Sequence, residues 1–139
     1  MAYRKKIEQV QRCPFEYGLR VFGGKWNARI LCLLSRHTPL RFRQIREELR
    51  DISDAVLSGS LKELLAEDVI RRDAYNEIPP RGEYSPTDKG ESILPLLRSI
   101  CAWSRQQQAM DEQALLAPCR QCPRLAGETT GDRPNPCIP

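Results

Sequence analysis

Six cysteines are the most reactive side chains of this sequence: Cys13, Cys32, Cys101, Cys119, Cys122 and Cys137. As thiolates they are nucleophiles, reductants and metal ligands, and the local electrostatics set the thiolate fraction. Cys13 stands beside Arg12 and immediately before Pro14, a residue suited to the first position of a helix. A helix N-terminus and a cationic neighbour both favour the thiolate, so Cys13 is a redox-sensing candidate; capping and packing account for it equally well. Cys32 lies inside the run Ile30-Leu31-Cys32-Leu33-Leu34 and reads as a small buried hydrophobe. Cys101 falls in a second apolar segment, where it is either a redox partner of Cys13 across subunits or a core residue.

The remaining thiols sit in a Pro- and Gly-rich tail, with Cys119 and Cys122 spaced as C-x-x-C and Cys137 beyond. Structural zinc usually takes four ligands, and the tail offers three. Cys101, His37 or Cys13 of the partner subunit would have to complete the set, and none has motif spacing. A switchable Cys119 to Cys122 disulfide and a disordered tail stand beside zinc as readings, and no cofactor is firmly expected. A thiol-disulfide oxidoreductase using Cys119 and Cys122 would want its C-x-x-C at the head of a helix that follows a strand. His37 is the single histidine, and no G-x-S-x-G elbow, P-loop or H-E-x-x-H occurs. The expectation is a protein that binds rather than catalyses.

With 40% hydrophobic and 29% charged residues, the composition is that of a globular protein. No apolar run approaches the roughly 18 residues a membrane-spanning helix needs, and no secretory h-region opens the chain. A cytoplasmic protein without structural disulfides is expected. The net charge is +4, but residues 1–52 hold twelve Lys and Arg against five Asp and Glu. A phosphate-facing surface has that bias, as does an ordinary solvated basic face.

The elements that must position these residues can be read from periodicity. Residues 3–12 form a short helix with Ile7 and Val10 as its apolar contacts, too little to stand alone. Pro14 opens a second helix with Phe15, Leu19 and Phe22 as its stripe, ended by Gly23-Gly24. From Lys25 a core helix carries Trp26, Ile30, Leu31, Leu33 and Leu34, stopping near His37-Thr38-Pro39. Leu40 to Phe42 make a brief strand. Phe42, Ile45 and Leu49 then mark an amphipathic helix, and Ser53 is a good N-cap for the next, whose buried stripe is Leu57, Leu61, Leu64 and Leu65. Asp54, Ala55, Ser58, Gly59 and Lys62 face outward. The pair is a helix-turn-helix or an ordinary helical hairpin, and the segment C-terminal to it decides between the two. Val69 to Tyr75 and Glu83 to Ser85 are strands joined through Pro79, Pro80 and Gly82, which makes a wing. A long last helix carries Ile93, Leu97, Ile100, Cys101 and Trp103 or Ser104, and Pro95 demands a kink or a restart. Its apolar excess calls for the same helix of a second subunit.

The fold class is therefore mainly α with a small β-hairpin, a winged helix-turn-helix. Residues 1–12 are an N-terminal dimerisation helix, 13–86 the DNA-binding domain, 87–112 a C-terminal dimerisation helix and 113–139 a Cys/Pro-rich tail, for which disorder is one of the open readings. DNA-binding candidates are Ser53, Ser58 and Ser60 for short base or phosphate contacts, and Lys25, Arg41, Arg43 and Lys62 for the backbone. Arg81 at the hairpin tip reaches a phosphate or the neighbouring groove, or is a solvated loop arginine.

Cys13-Pro14, Gly23-Gly24-Lys25-Trp26, Arg41-Phe42, Ile52-Ser53, Leu61-Lys62-Glu63-Leu64, Pro79-Pro80, Glu83-Tyr84-Ser85, Thr87 and Gly90 occur in an order and spacing that resembles HxlR-type winged-helix transcriptional regulators, over about residues 10–105. The resemblance implies a bacterial DNA-binding homodimer joined through its first and last helices, binding an inverted repeat in double-stranded DNA. In some members a cysteine at the position of Cys13 senses electrophiles or oxidants. A small-molecule or oxidant effector is in keeping with this, although no polar constellation in the sequence names a ligand. One departure stands out: that family commonly shows long polar or basic residues on the recognition helix, where this chain has Asp54, Ala55, Ser58 and Gly59. Readout would then lean on DNA shape, and a winged helix that binds protein rather than DNA is the competing reading.

Overall fold

The computed structural model describes residues 13–78, 81–111 and 113–120. The expected helix over 3–12 with Ile7 and Val10, the turn residues Pro79 and Pro80, and Cys122 and Cys137 all lie outside the described residues. Helix α1 (Pro14–Phe22) opens where expected, with Cys13 extended at its N-cap. Its buried side differs from the expected stripe. Val21 is buried and Tyr17 and Phe22 partly so, whereas Phe15 is 66% exposed and Leu19 45%. The cause is position: α1 packs mainly on one neighbour, α2, so the rest of its apolar surface projects past the core.

Helix α2 (Asn27–Arg36) is the hub. Ile30, Leu31, Leu33 and Leu34 are wholly buried, and α2 touches every other helix and the sheet. It starts two residues after Lys25 because Asn27 is recruited as a buried cross-brace. Its Nδ2 donates to the Val21 carbonyl at 3.3 Å and to Glu63 Oε2 at 3.2 Å. A buried amide left without such partners would cost about 1–3 kcal/mol.

Strand β1 (Leu40–Arg41) leads into α3 (Phe42–Leu49), and α4 (Asp54–Ala66) comes next. Strands β2 (Ile70–Tyr75) and β3 (Arg81–Pro86) form the hairpin. The sheet order is β1-β3-β2, antiparallel, with Leu40 opposite Tyr84 and Tyr75 opposite Arg81. Pairing β1 to β3 ties the start of α3 to the hairpin, so the hairpin cannot swing independently of the helix pair.

Helix α5 (Asp88–Gln107) is capped by Thr87, whose hydroxyl accepts from Gly90 N at 3.1 Å and donates to the Asp68 carbonyl at 2.6 Å. Gly90 is required there, since a Cβ would collide with the Val69 carbonyl. The helix runs unbroken through Pro95 rather than restarting. Pro95 and Glu91 are both exposed, so water can serve the carbonyl that the missing N–H leaves open. Ile93 and Leu97 are buried as expected, while Leu96, Ile100 and Trp103 face outward, Trp103 at 63%.

Residues 113–120, where the tail begins, are described and include a short helix. Helix α6 (Ala117–Arg120) packs on α2, Leu116 joins the edge of the core, and Arg105 donates to the Cys119 carbonyl at 3.1 Å. Polar composition hid Leu116, which supplies the apolar contact with the core. No helix among the described residues is long and apolar enough to cross a membrane.

Candidate nucleic-acid interface

Helix α3 closes at Arg50, whose φ +60° and ψ −74° make a γ-turn closed by Asp51 N–H donating to the Leu49 carbonyl at 2.8 Å, so the chain bends sharply in one residue. Ile52 is buried and anchors the turn. Ser53 then caps α4: its hydroxyl accepts from Val56 N at 3.2 Å. Asp54 sits in the first turn, where the helix dipole favours a carboxylate. Arg46 of α3 donates to Asp54 Oδ1 at 3.0 Å, fastening the two helices and offsetting the carboxylate's charge at the start of α4. That brace was not read from the sequence; the only signal was an Arg and an Asp flanking the turn.

Leu57, Leu61 and Leu64 bury one side of α4. At 100° per residue the opposite side is centred on Gly59, flanked by Ala55 and Lys62, all exposed. Nothing lies within 4 Å of a Cβ added at Gly59. Ser58 and Ser60 are half-buried, on opposite flanks of the exposed strip. Val56, 45% exposed, belongs to the strip and was missed; its β-branched apolar type masks an outward position at the third residue of a helix.

The cations divide into two groups. Lys25, Arg41 and Lys62 are exposed and carry no ion pair among the described residues. Lys25 lies over the Trp26 ring, 5.1 Å from its centre. Arg43 pairs with Glu47 at 3.3 Å, but both are well exposed, so the pair is weak. The hairpin arginines are more committed. Arg71 meets Asp73 at 3.6 Å. Arg81, expected at the free tip, is instead the first residue of β3, held by Glu77 at 3.2 Å and Glu83 at 3.5 Å and stacked on Tyr75 at 4.4 Å. Arg72 is exposed and lies across Gly82, where a Cβ would displace it.

Cys13 is exposed at the head of α1 and Cys101 exposed on α5. Cys32, Cys101 and Cys119 line common cavities, a convergence invisible in their spacing. Among the described residues no group of three or more His, Cys, Asp or Glu is placed to hold a metal ion.

Residues 21–112 match the model of the HxlR-like helix-turn-helix family. An uncharacterised HTH-type transcriptional regulator of Halalkalibacterium halodurans is 39% identical over 106 residues, covering 76% of this chain and 94% of the relative. Among solved structures, the redox regulator HypR in its oxidised form is similar with a TM-score of 0.65 and 30% identity, over 70% of this chain and 100% of that one. The reduced form of the transcriptional regulator YodB from Bacillus subtilis is similar at TM-score 0.61 and 31% identity, over 69% and 94%.

Proposed function

The chain belongs to the HxlR-like helix-turn-helix family, and from that premise we propose that it regulates transcription as a homodimer on inverted-repeat DNA, switched by oxidation at Cys13. The observation that carries the DNA reading is the exposed small-residue strip of α4, in a domain where Lys25, Arg41 and Lys62 are exposed and unpaired among the described residues. Helix α4 enters the major groove, and Ala55 and Gly59 let its backbone approach the base edges closely. Ser58 makes a short polar contact and Val56 meets a thymine methyl group. Lys25, Arg41 and Lys62 hold phosphates, with Arg43 and Ser53 beside them. Ser60, on the flank nearer the core, reaches at most a phosphate. Arg81 stiffens the wing, and Arg72 is its cation for the backbone.

The homodimer is supported by Phe15 and Leu19 on α1 and Leu96, Ile100 and Trp103 on α5, large apolar side chains left exposed in one chain. A two-fold axis through such helices spaces two α4 helices about 34 Å apart, one turn of DNA. The switch is supported by the exposure of Cys13 and by likeness to a redox regulator. Oxidation by peroxide joins Cys13 to Cys101 of the partner subunit: two thiols give up two protons and two electrons, and peroxide leaves as water.

Selection of bound duplexes from a random pool, with reduced protein and again after peroxide, tests both parts. An inverted repeat enriched under reduction, altered by oxidation and insensitive to oxidation in Cys13→Ser is the expected result. A repeat indifferent to oxidation removes the switch; no enriched sequence removes the DNA reading in favour of a protein-binding winged helix.

A further inference from the structure

Two cavities of about 160 Å³ and 340 Å³ lie against α5 and α6 and share Cys32, Cys101 and Cys119 as common wall. The smaller is walled by Leu94, Met110 and Leu115 and bordered by Arg36, Arg98 and Arg105. Three arginines line it, and among the described residues no carboxylate does. Arg105 is spent on the Cys119 carbonyl. Arg36 and Arg98 have no ion pair among the described residues. The two serines of the lining donate their protons to their own helices, Ser35 to the Cys32 carbonyl at 2.6 Å and Ser104 to the Ile100 carbonyl at 2.8 Å. The strong hydrogen-bond donors left in the lining are therefore arginines, a thiol being a weak donor. An apolar chamber with donors and positive charge at its edge is complementary to an apolar body with an anionic head.

We propose that this cavity between α2, α5 and α6 binds a small apolar carboxylate, its body among Leu94, Met110 and Leu115 and its anion held by Arg36 and Arg98. The size fits: a protein cavity of roughly 150 Å³ holds one benzene ring. Filling it changes the spacing of α2, which supports the helix-turn-helix, from α5, which carries the exposed apolar face. The ligand is thus an effector, a consequence that rests on the DNA-binding reading, whereas binding itself does not.

The test is calorimetry on the full, reduced chain with 3-phenylpropionate as the probe, against 3-phenylpropan-1-ol and 3-phenylpropylamine. The carboxylate should bind at least about tenfold more tightly than either, the usual worth of a hydrogen bond to a charged group. Arg36→Gln and Arg98→Gln, exposed enough to fold normally, should each remove about tenfold. Bound carboxylate should slow alkylation of Cys101 and Cys119 while leaving Cys13 unchanged. No binding at about 10 mM ligand, equal binding of the alcohol, or binding untouched in both arginine variants would overturn the site. Calorimetric binding with no change in operator affinity would overturn the effector role alone; no operator at all would sink the DNA reading and leave the site standing.

Discussion

The arginines of the wing and the cations around α4 are similar in number but differ in what they are free to do. On the hairpin, Arg81 is sandwiched between Glu77, Glu83 and Tyr75 and Arg71 leans on Asp73, leaving Arg72 as its one arginine without an ion pair among the described residues. Around α4, Lys25, Arg41 and Lys62 have only solvent for a counter-ion among the described residues. The one acid in the first turn of α4, Asp54, is neutralised by Arg46. A paired arginine must break its pair to take up a phosphate, while an unpaired one releases only loosely held ions. Charge count is thus a poor guide to phosphate binding, and the hairpin serves as a brace more than a grip.

The largest effect that would sharpen this contrast is loss of the free cations. Replacing Lys25, Arg41 and Lys62 together by Ala should weaken duplex binding about 100-fold or more and flatten the salt dependence of log K by about 2 to 3, measured by anisotropy titrations between low and high salt. An unchanged slope would break the contrast. Next is Gly59→Ala. With open space around it, the added methyl should stabilise α4 by about 1 kcal/mol, seen in urea unfolding, yet reduce operator affinity several-fold by holding the backbone off the bases. Affinity that rose with stability would show that the close approach is not used. Arg81→Ala should lower stability by about 1 kcal/mol through its ion pairs and ring stacking while changing affinity less than about threefold. A loss as large as that of the triple variant would make Arg81 a phosphate contact after all.

The smallest effect belongs to a cation outside both groups. A hydrogen bond with Tyr17 raises Lys89 above its ordinary value of 10.5; partial desolvation opposes this, and Tyr17, Glu67 and Asp68 add favourable charge. Lys89 also donates to the Glu67 carbonyl at 2.7 Å. Because the folded value is raised, its contribution is fully present below the ordinary lysine range and lost as pH rises through the folded value. The urea midpoints of wild type and Lys89→Met should therefore differ at about pH 8 and converge only once the pH has passed the raised folded value, above 10.5.

Much of the architecture was legible because it rests on local rules. Ser53 as a cap, the Leu57, Leu61, Leu64 repeat, Pro14 at a helix start and the run Ile30 to Leu34 each declare an element within a few residues. Errors arose where an apolar residue had to choose between two partners. Phe15 and Leu19 keep helical spacing and yet face away from the core, since periodicity gives a side of a helix but not which neighbour covers it. Leu116 went the other way, pulled onto the core from a stretch that composition marks as a loop.

The chain's own order of residues settled the family, the helix-turn-helix and its caps, because hydrogen bonds at helix ends and 3.6-residue periodicity act over short distances. Only the tertiary structure decided which charges are spent. Arg46 with Asp54, Asn27 with Glu63 and Arg81 with Glu77 and Glu83 meet because packing brings their elements together, and the strength of a charge depends on its neighbours in space. The same holds for Arg36 and Arg98, sixty-two positions apart in the sequence, which border one cavity because α5 folds back across α2.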